Sequence, residues 1–410
     1  MKNPDFCRDF SFMVITLFDT NARHNLLPFT HTRAIADIRC GIMTMRERWE
    51  RFTGTTTGTL TEEYLQEIYP KNGEAGVYVS GAVLATQSVY EAARQLKDGQ
   101  KLMSGSSLLA FNTSSDVTFA NVESAAMNLE AVELSGDVLV LKNAWDIFSY
   151  NDKAIKEDFA LLTNGRKSAG IPEGVTVAGK GLFIEEGASI APGCIINTTS
   201  GPVYIGKDTE IMEGSMIRGP FAACEHSVVK MGAKIYGATT LGPGCKVGGE
   251  LNNVVFFANS NKAHDGFLGN AVIGEWCNLG ADTNCSNLKN NYDEVKVWNE
   301  QLNKSVKTGL NFCGLLMGDH SKAGINTMFN TGTVVGVSAN IYGGGFPASF
   351  IPSFCWGGAE GLTTYRFDKA TETANRMMGR RSKQLSEVEI KMLQYIFDKT
   401  KSQRDTFAQS

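Results

Sequence analysis

An aliphatic residue returns at every sixth position over long stretches of the chain. Ile184, Ile190 and Ile196 form one run, and Ile205, Ile211, Ile217, Ala223, Val229, Ile235, Leu241 and Val247 form a second of eight members. Met317, Ala323, Phe329, Val335 and Ile341 form a third, with Leu268, Ile273 and Leu279 between the arrays and one step shortened. A helix repeats every 3.6 residues and does not produce this step. One short strand plus one turn per step does, and three steps make a triangular coil of a parallel β-helix. The aliphatic residue points inward and stacks on its counterpart in the next coil, so stability comes from neighbouring coils. An antiparallel sandwich would instead alternate with period two and turn at Asn-Gly hairpins. The corners need positive φ, and 29 of the 43 glycines lie between Gly170 and Gly345.

Two stretches break the step, residues 251–267 and 286–312, and both are rich in polar groups. Insertions in a solenoid map to loops on one face, so a site is expected there. Before the repeats, the apolar run at 10–18 predicts a buried strand, and 42–52, 62–68 and 88–96 predict helices. The chain thus divides into an α/β domain (1–165), a β-helix (170–345) and a helical tail (346–410). In the tail 371–378 and 386–397 are helical; Ser386 and Glu389 form a capping box, and Val388, Met392, Tyr395 and Ile396 share a face.

Charge narrows the functional classes. With 39 Lys and Arg against 43 Asp and Glu and no basic block, the chain carries no electrostatic footprint for nucleic acid or an anionic membrane. The run at 10–18 is too short to span a bilayer, and no small-residue cleavage site follows it. Nine cysteines, odd in number and never spaced Cys-x-x-Cys, fit free thiols in a reducing cytoplasm. Small-molecule chemistry is the class that remains.

The segment Asn261-Lys262-Ala263-His264-Asp265-Gly266-Phe267-Leu268-Gly269 carries one of five histidines, a group suited to taking a proton from an attacking amine. Asn278-Leu279-Gly280-Ala281 and Asn291-Tyr292-Asp293 follow in order. By residue chemistry alone the asparagines and Tyr292 read as corner residues, since Asn tolerates the left-handed conformation. The whole stretch resembles the acetyltransferase site of the bifunctional GlmU-type enzymes, which make UDP-N-acetylglucosamine. That resemblance implies a left-handed β-helix assembled as a homotrimer. It implies His264 as general base for acetyl transfer from acetyl-CoA to glucosamine 1-phosphate. It also implies Lys262, Asn278, Asn291 and Tyr292 on the substrate and Ala281 beside the pantetheine arm. Three departures stand out: Glu250-Leu251-Asn252 replaces the family's Glu-x-Lys, residues 286–290 are additional, and the loop lacks one residue between Lys262-Ala263 and His264.

A strand leading into LLPFTHTRAIADIRC resembles the opening of a sugar-nucleotide pyrophosphorylase, implying uridylyl transfer from UTP with Mg2+. The glycine-rich phosphate loop is replaced by Phe18-Asp19-Thr20-Asn21-Ala22-Arg23. Two readings stay open: a degenerate domain, or one in which Arg23, Arg33 and Arg39 supply charge to phosphates and Asp19 is a metal ligand. Arg380 and Arg381 are candidates for coenzyme A phosphates, with C-terminal helix capping as the plainer account. His226, His264 and His320 lack the close spacing of a three-histidine zinc site. The competing functions are a nucleotidyltransferase of other specificity, such as a thymidylyl enzyme, an acyltransferase on another amino sugar, and a non-catalytic sugar-nucleotide-binding trimer.

Overall fold

The computed structural model describes residues 14–71 and 76–407. Residues 10–13 of the expected first strand, and Cys7, lie outside them. Contacts group the chain into two compact units, residues 1–20 with 45–140, and residues 21–44 with 141–410. This differs from the linear division at 165 and 345.

The first unit is an α/β fold on a six-stranded sheet. Ile15–Phe18 runs parallel between Gly58–Leu60 and Val77–Ser80, and all four of its residues are buried. A strand buried on both faces is a continuous apolar run, which is why ITLF reads without alternation. Ser107–Asn112 adds antiparallel, and Phe18, Tyr78 and Phe111 pack as an aromatic cluster. The expected helices form at Met45–Thr53, Glu63–Gln66 and Gln87–Arg94, the last capped by Thr86 Oγ1 accepting from the Val89 amide.

The second unit is a parallel β-solenoid of about 10 turns. Its inward ladder carries one residue per coil, so that three six-residue steps separate Ile205, Ala223 and Leu241: Ile184, Ile205, Ala223, Leu241, Phe256, Ile273, Met317, Val335 and Ile351 stack in register. A second ladder runs Ile190, Ile211, Val229, Val247 and then Lys262. The aliphatic members belong to one continuous core cluster, and each fully buried Val, Leu or Ile contributes about 1.5–3 kcal/mol.

The two interruptions differ. Residues 251–267 stay in the solenoid: Glu250–Phe256 and Phe267–Ile273 pair in parallel through six positions, so the loop expected there is a coil with a short corner. Residues 286–312 do leave it, with an antiparallel hairpin of Lys296–Asn299 and Lys304–Lys307.

Segment 21–44 and the helix Asp146–Thr163 pack on the solenoid by buried polar bonds. Asp158 accepts from the Ile42 amide at 2.7 Å, and Asn151 accepts from the Gly41 amide and donates to the Ala238 carbonyl, both at 2.8 Å. Gly41 has φ +92°, and a Cβ there would lie 2.3 Å from the Asp158 carboxylate, so no other residue fits. The tail forms helices Phe367–Gly379, Glu387–Lys399 and Lys401–Phe407, with the Ser386/Glu389 capping box in place. Met392 and Ile396 are buried as expected, but Leu393 takes the position assigned to Tyr395, which is exposed.

Candidate functional site

The His264 turn is a corner of the solenoid, and three neighbours hold its backbone. Lys262, inside the corner, donates from Nζ to the carbonyls of His264 at 2.9 Å and Asp265 at 3.0 Å. From the next coil, the Asp282 amide donates to the Asp265 carbonyl at 3.1 Å. Asn284 Oδ1 accepts from the Phe267 amide at 2.7 Å. Gly266 closes the turn at φ +110°, where a Cβ would sit 2.4 Å from the Thr283 carbonyl. The His264 side chain itself is exposed.

Asp282 and Asn284 also line an open groove of about 630 Å³, together with Gly324, Ile325, Asn326, Met328, Tyr342 and Gly343 to Gly345. The glycines keep its floor low, and Ile325 is 70% exposed. Ala281 belongs to the same stack of corners, its carbonyl accepting from the Asn326 amide at 2.8 Å. A polar turn with an accessible imidazole therefore adjoins, through Asp282 and Asn284, an open groove lined in part by Ile325, Met328 and Tyr342. Such a groove can take a partly apolar donor, and the imidazole a proton transfer beside it.

The other expected residues divide. Asn278 pairs between Asn261 and Lys322 on the outward face of one sheet. Lys262 is 0% exposed and occupies an inward ladder position after Val247, so in this chain it faces the corner backbone rather than the solvent side, where a substrate would bind. Burial pulls its ammonium down to about 8, with the Asp265 and Asp282 carboxylates opposing that shift. Asn291 and Tyr292 lie on the excursion. Asn291 Oδ1 accepts from the Asp293 amide, and Tyr292, 72% exposed with φ 58°, occupies a tight turn.

Arg23 and Arg33, expected on nucleotide phosphates, are buried against protein groups. Arg23 donates to the Thr30 carbonyl at 2.8 Å. Arg33 makes a two-pronged bond to Asp319, at 2.6 and 3.2 Å, and lies over the Phe257 ring. Arg39 donates to the Ile42 carbonyl. Arg381 donates to Asn259 at 2.6 Å and Asn261 at 3.2 Å and covers the Trp276 ring, while Arg380 is exposed. Asp19 follows the first strand, is 1% exposed, and accepts from Thr61 Oγ1 at 2.6 Å. Magnesium takes near-octahedral oxygen ligands with one or two carboxylates. A single buried carboxylate already engaged does not make such a site, and no group of three or more metal-ligating side chains gathers among the described residues. His226, 66% exposed on its side chain, lies 3.8 Å from Asp208 instead.

Sequence reasoning missed the corner's other members, Asp282 and Asn284, and the anchor Asp319. The chain spacing of 17 residues between Phe267 and Asn284 reflects one coil, a signal available from the repeat once the coil is counted.

Residues 15–167 match the family described as sugar nucleotidyl transferase. The chain is 27% identical over 153 residues to the uncharacterized acetyltransferase YaiX of Escherichia coli K12, covering 37% of this chain and 66% of that protein. It is 30% identical over 146 residues to a bifunctional sugar-1-phosphate nucleotidylyltransferase/acetyltransferase of Sulfurisphaera tokodaii, covering 35% and 36%. It is 27% identical over 188 residues to the bifunctional protein GlmU of Rippkaea orientalis, covering 40% and 41%. The chain thus spans between about a third and about two thirds of the length of these relatives. The likeness to GlmU-type proteins expected from the His264 segment is borne out.

Proposed function

We propose that this chain, a GlmU-like protein with a β-helix and a sugar nucleotidyl transferase segment, transfers an acetyl group from acetyl-CoA to the amine of glucosamine 1-phosphate. The observation that carries the proposal is the accessible His264 on a turn fixed by Lys262, Asp282 and Asn284, the last two of which line the groove. The groove takes the pantetheine arm past Ala281, and the amino sugar approaches from the His264 side. His264 removes the amine's proton as nitrogen attacks the thioester carbonyl carbon. The C–S bond then breaks, and the departing sulfur takes a proton to leave as free coenzyme A. Arg380, exposed at the end of its helix, is available to the donor's phosphates, whereas Arg381 is held by Asn259 and Asn261.

The assembly is a homotrimer. Ile195 and Met216 project outward at 46% and 44% exposure beside Arg218, Lys234 and Tyr236, around a depression of about 510 Å³, a face suited to a second copy. Among the described residues no helix is long and apolar enough to cross a membrane. Cys194, Cys245, Cys277, Cys285, Cys313 and Cys355 are buried free thiols, in keeping with a reducing cytoplasm. Uridylyl transfer from UTP to N-acetylglucosamine 1-phosphate is the second reading, and the match at 15–167 favours it.

The test is thiol release from acetyl-CoA with glucosamine 1-phosphate. Turnover that collapses in a folded His264→Ala variant supports the reading. Absence of turnover across amino-sugar phosphates in a folded trimer overturns it. Pyrophosphate release that depends on UTP and magnesium decides the second reading.

A further inference from the structure

In the ladder that runs Ile190, Ile211, Val229, Val247, Lys262 follows Val247 in register, and the next rungs, Leu279, Ala323 and Ile341, are aliphatic again. The Lys262 side chain is 0% exposed. An ammonium in that position costs desolvation, and the surrounding core is apolar, with Val247 and Leu279 both in the same cluster. The group is satisfied at one place only: its two hydrogen bonds end on the carbonyls of His264 and Asp265. A lysine that served folding alone would be replaced by an aliphatic residue with a gain in stability, since burying a charge is seldom repaid by the bonds it makes.

We propose that Lys262 is a positioning residue: the solenoid gives up an aliphatic rung so that a buried ammonium holds the His264 turn from inside. The inference rests on the proposed acetyl transfer for its kinetic consequence, but not for its structural one. Lys322 Nζ likewise donates to the His320 carbonyl at 2.7 Å, but there the inward rung is Ala323, so only at the His264 turn does the lysine itself replace an apolar rung. The Asp265 carbonyl has a second donor in the Asp282 amide, whereas among the described residues the His264 carbonyl accepts from Lys262 alone. Removing the ammonium therefore frees the peptide that carries the imidazole before it frees anything else. The depressed ammonium, at about 8, has the same origin, burial, that makes the rung costly. Asp265 and Asp282 are the charged groups that face it.

The test compares the full chain with Lys262→Met and Lys262→Arg. Methionine restores an apolar rung of similar length, and arginine keeps donors within reach of the turn. Expected for Lys262→Met are a higher Tm and amide exchange at 264–266 faster by about tenfold or more. A fall in kcat with little change in KM for the amino sugar goes with them, and Lys262→Arg recovers part of the kcat. Three results overturn the proposal. One is a lower Tm or unfolded Lys262→Met, which makes the lysine a structural requirement. Another is unchanged exchange at 264–266. The third is a raised KM for the sugar phosphate at constant kcat, which makes Lys262 a ligand. If the wild-type chain shows no acetyl transfer, the Tm and exchange comparisons still decide the positioning role, so the two failures are told apart.

Discussion

The two places where the six-residue step lapses have opposite outcomes. Between Leu251 and Phe267 the chain stays in the stack, pairs through six positions and turns its polar residues into one tight corner. Between 286 and 312 it leaves, makes a hairpin, and satisfies Asn291 and Tyr292 within its own turns. The hairpin is moored by Trp298 stacked on Phe350 at 5.0 Å and by Glu300, whose carboxylate lies 3.0 Å from His31 Nε2. The difference teaches that a shortened coil and an inserted loop do not place chemistry equally. The shortened coil is crossed by bonds from the coil on either side, so its backbone is fixed by the scaffold. The inserted loop satisfies its turns from within and is tied to the rest of its unit by side chains of its hairpin rather than by bonds from neighbouring coils.

The largest expected effect falls on the corner. His264→Ala lowers kcat for acetyl transfer by about 10²–10⁴, the usual contribution of a general base, with Tm unchanged because the side chain is exposed. A Tm loss of several degrees would mean that His264 is part of the scaffold and would break the comparison.

The next effect concerns the burial of another corner. His320 is 8% exposed, and burial holds its imidazole down to about 4. The unfolded chain takes up that proton near 6.5, so the folded state binds fewer protons between these values. Stability is complete above 6.5 and is lost as pH falls through 4, on the order of 3 kcal/mol from this group. Urea midpoints from pH 7.5 to 4 should fall less steeply in His320→Asn, asparagine being suited to the φ of 60° there. Parallel curves for the two proteins would remove His320 from the account.

Trp298→Ala sharpens the contrast from the other side. Loss of the stack on Phe350 and Phe407 costs about 2–3 kcal/mol in chemical denaturation, below a fully buried aromatic because the ring is half-buried. The kcat stays within about twofold of wild type if the corner is independent of the excursion. A fall in kcat that tracks the stability loss would join the two regions. The smallest effect belongs to Tyr292→Phe, where stability moves by no more than about 0.5 kcal/mol and KM for the sugar phosphate rises about three- to tenfold. An unchanged KM would leave Tyr292 as a turn residue.

The solenoid was legible because its physics is one-dimensional. Each inward residue answers only to the rungs above and below it, so Ile205, Ile211 and Ile217 announce the coil without any long-range information. The capping box at Ser386 was legible for the same local reason. The His264 segment was legible as a motif. Its support was not, because Asp282 and Asn284 reach it across a coil whose length depends on where the step is shortened. Arg33 reads in sequence as a cation near a phosphate loop, and only the fold shows Asp319, 286 residues away, receiving it.

By itself, then, the sequence determined the repeat, the inward ladder, the α/β character of the first unit and the identity of the candidate base. These follow from periodicity and residue chemistry, which act between near neighbours. Tertiary structure alone decided that 21–44 and the helix Asp146–Thr163 belong with the solenoid, that 251–267 is a coil rather than a loop, and that Lys262 faces inward. Each of those depends on which distant groups satisfy a buried charge or amide, and desolvation makes that choice only once the coils are stacked.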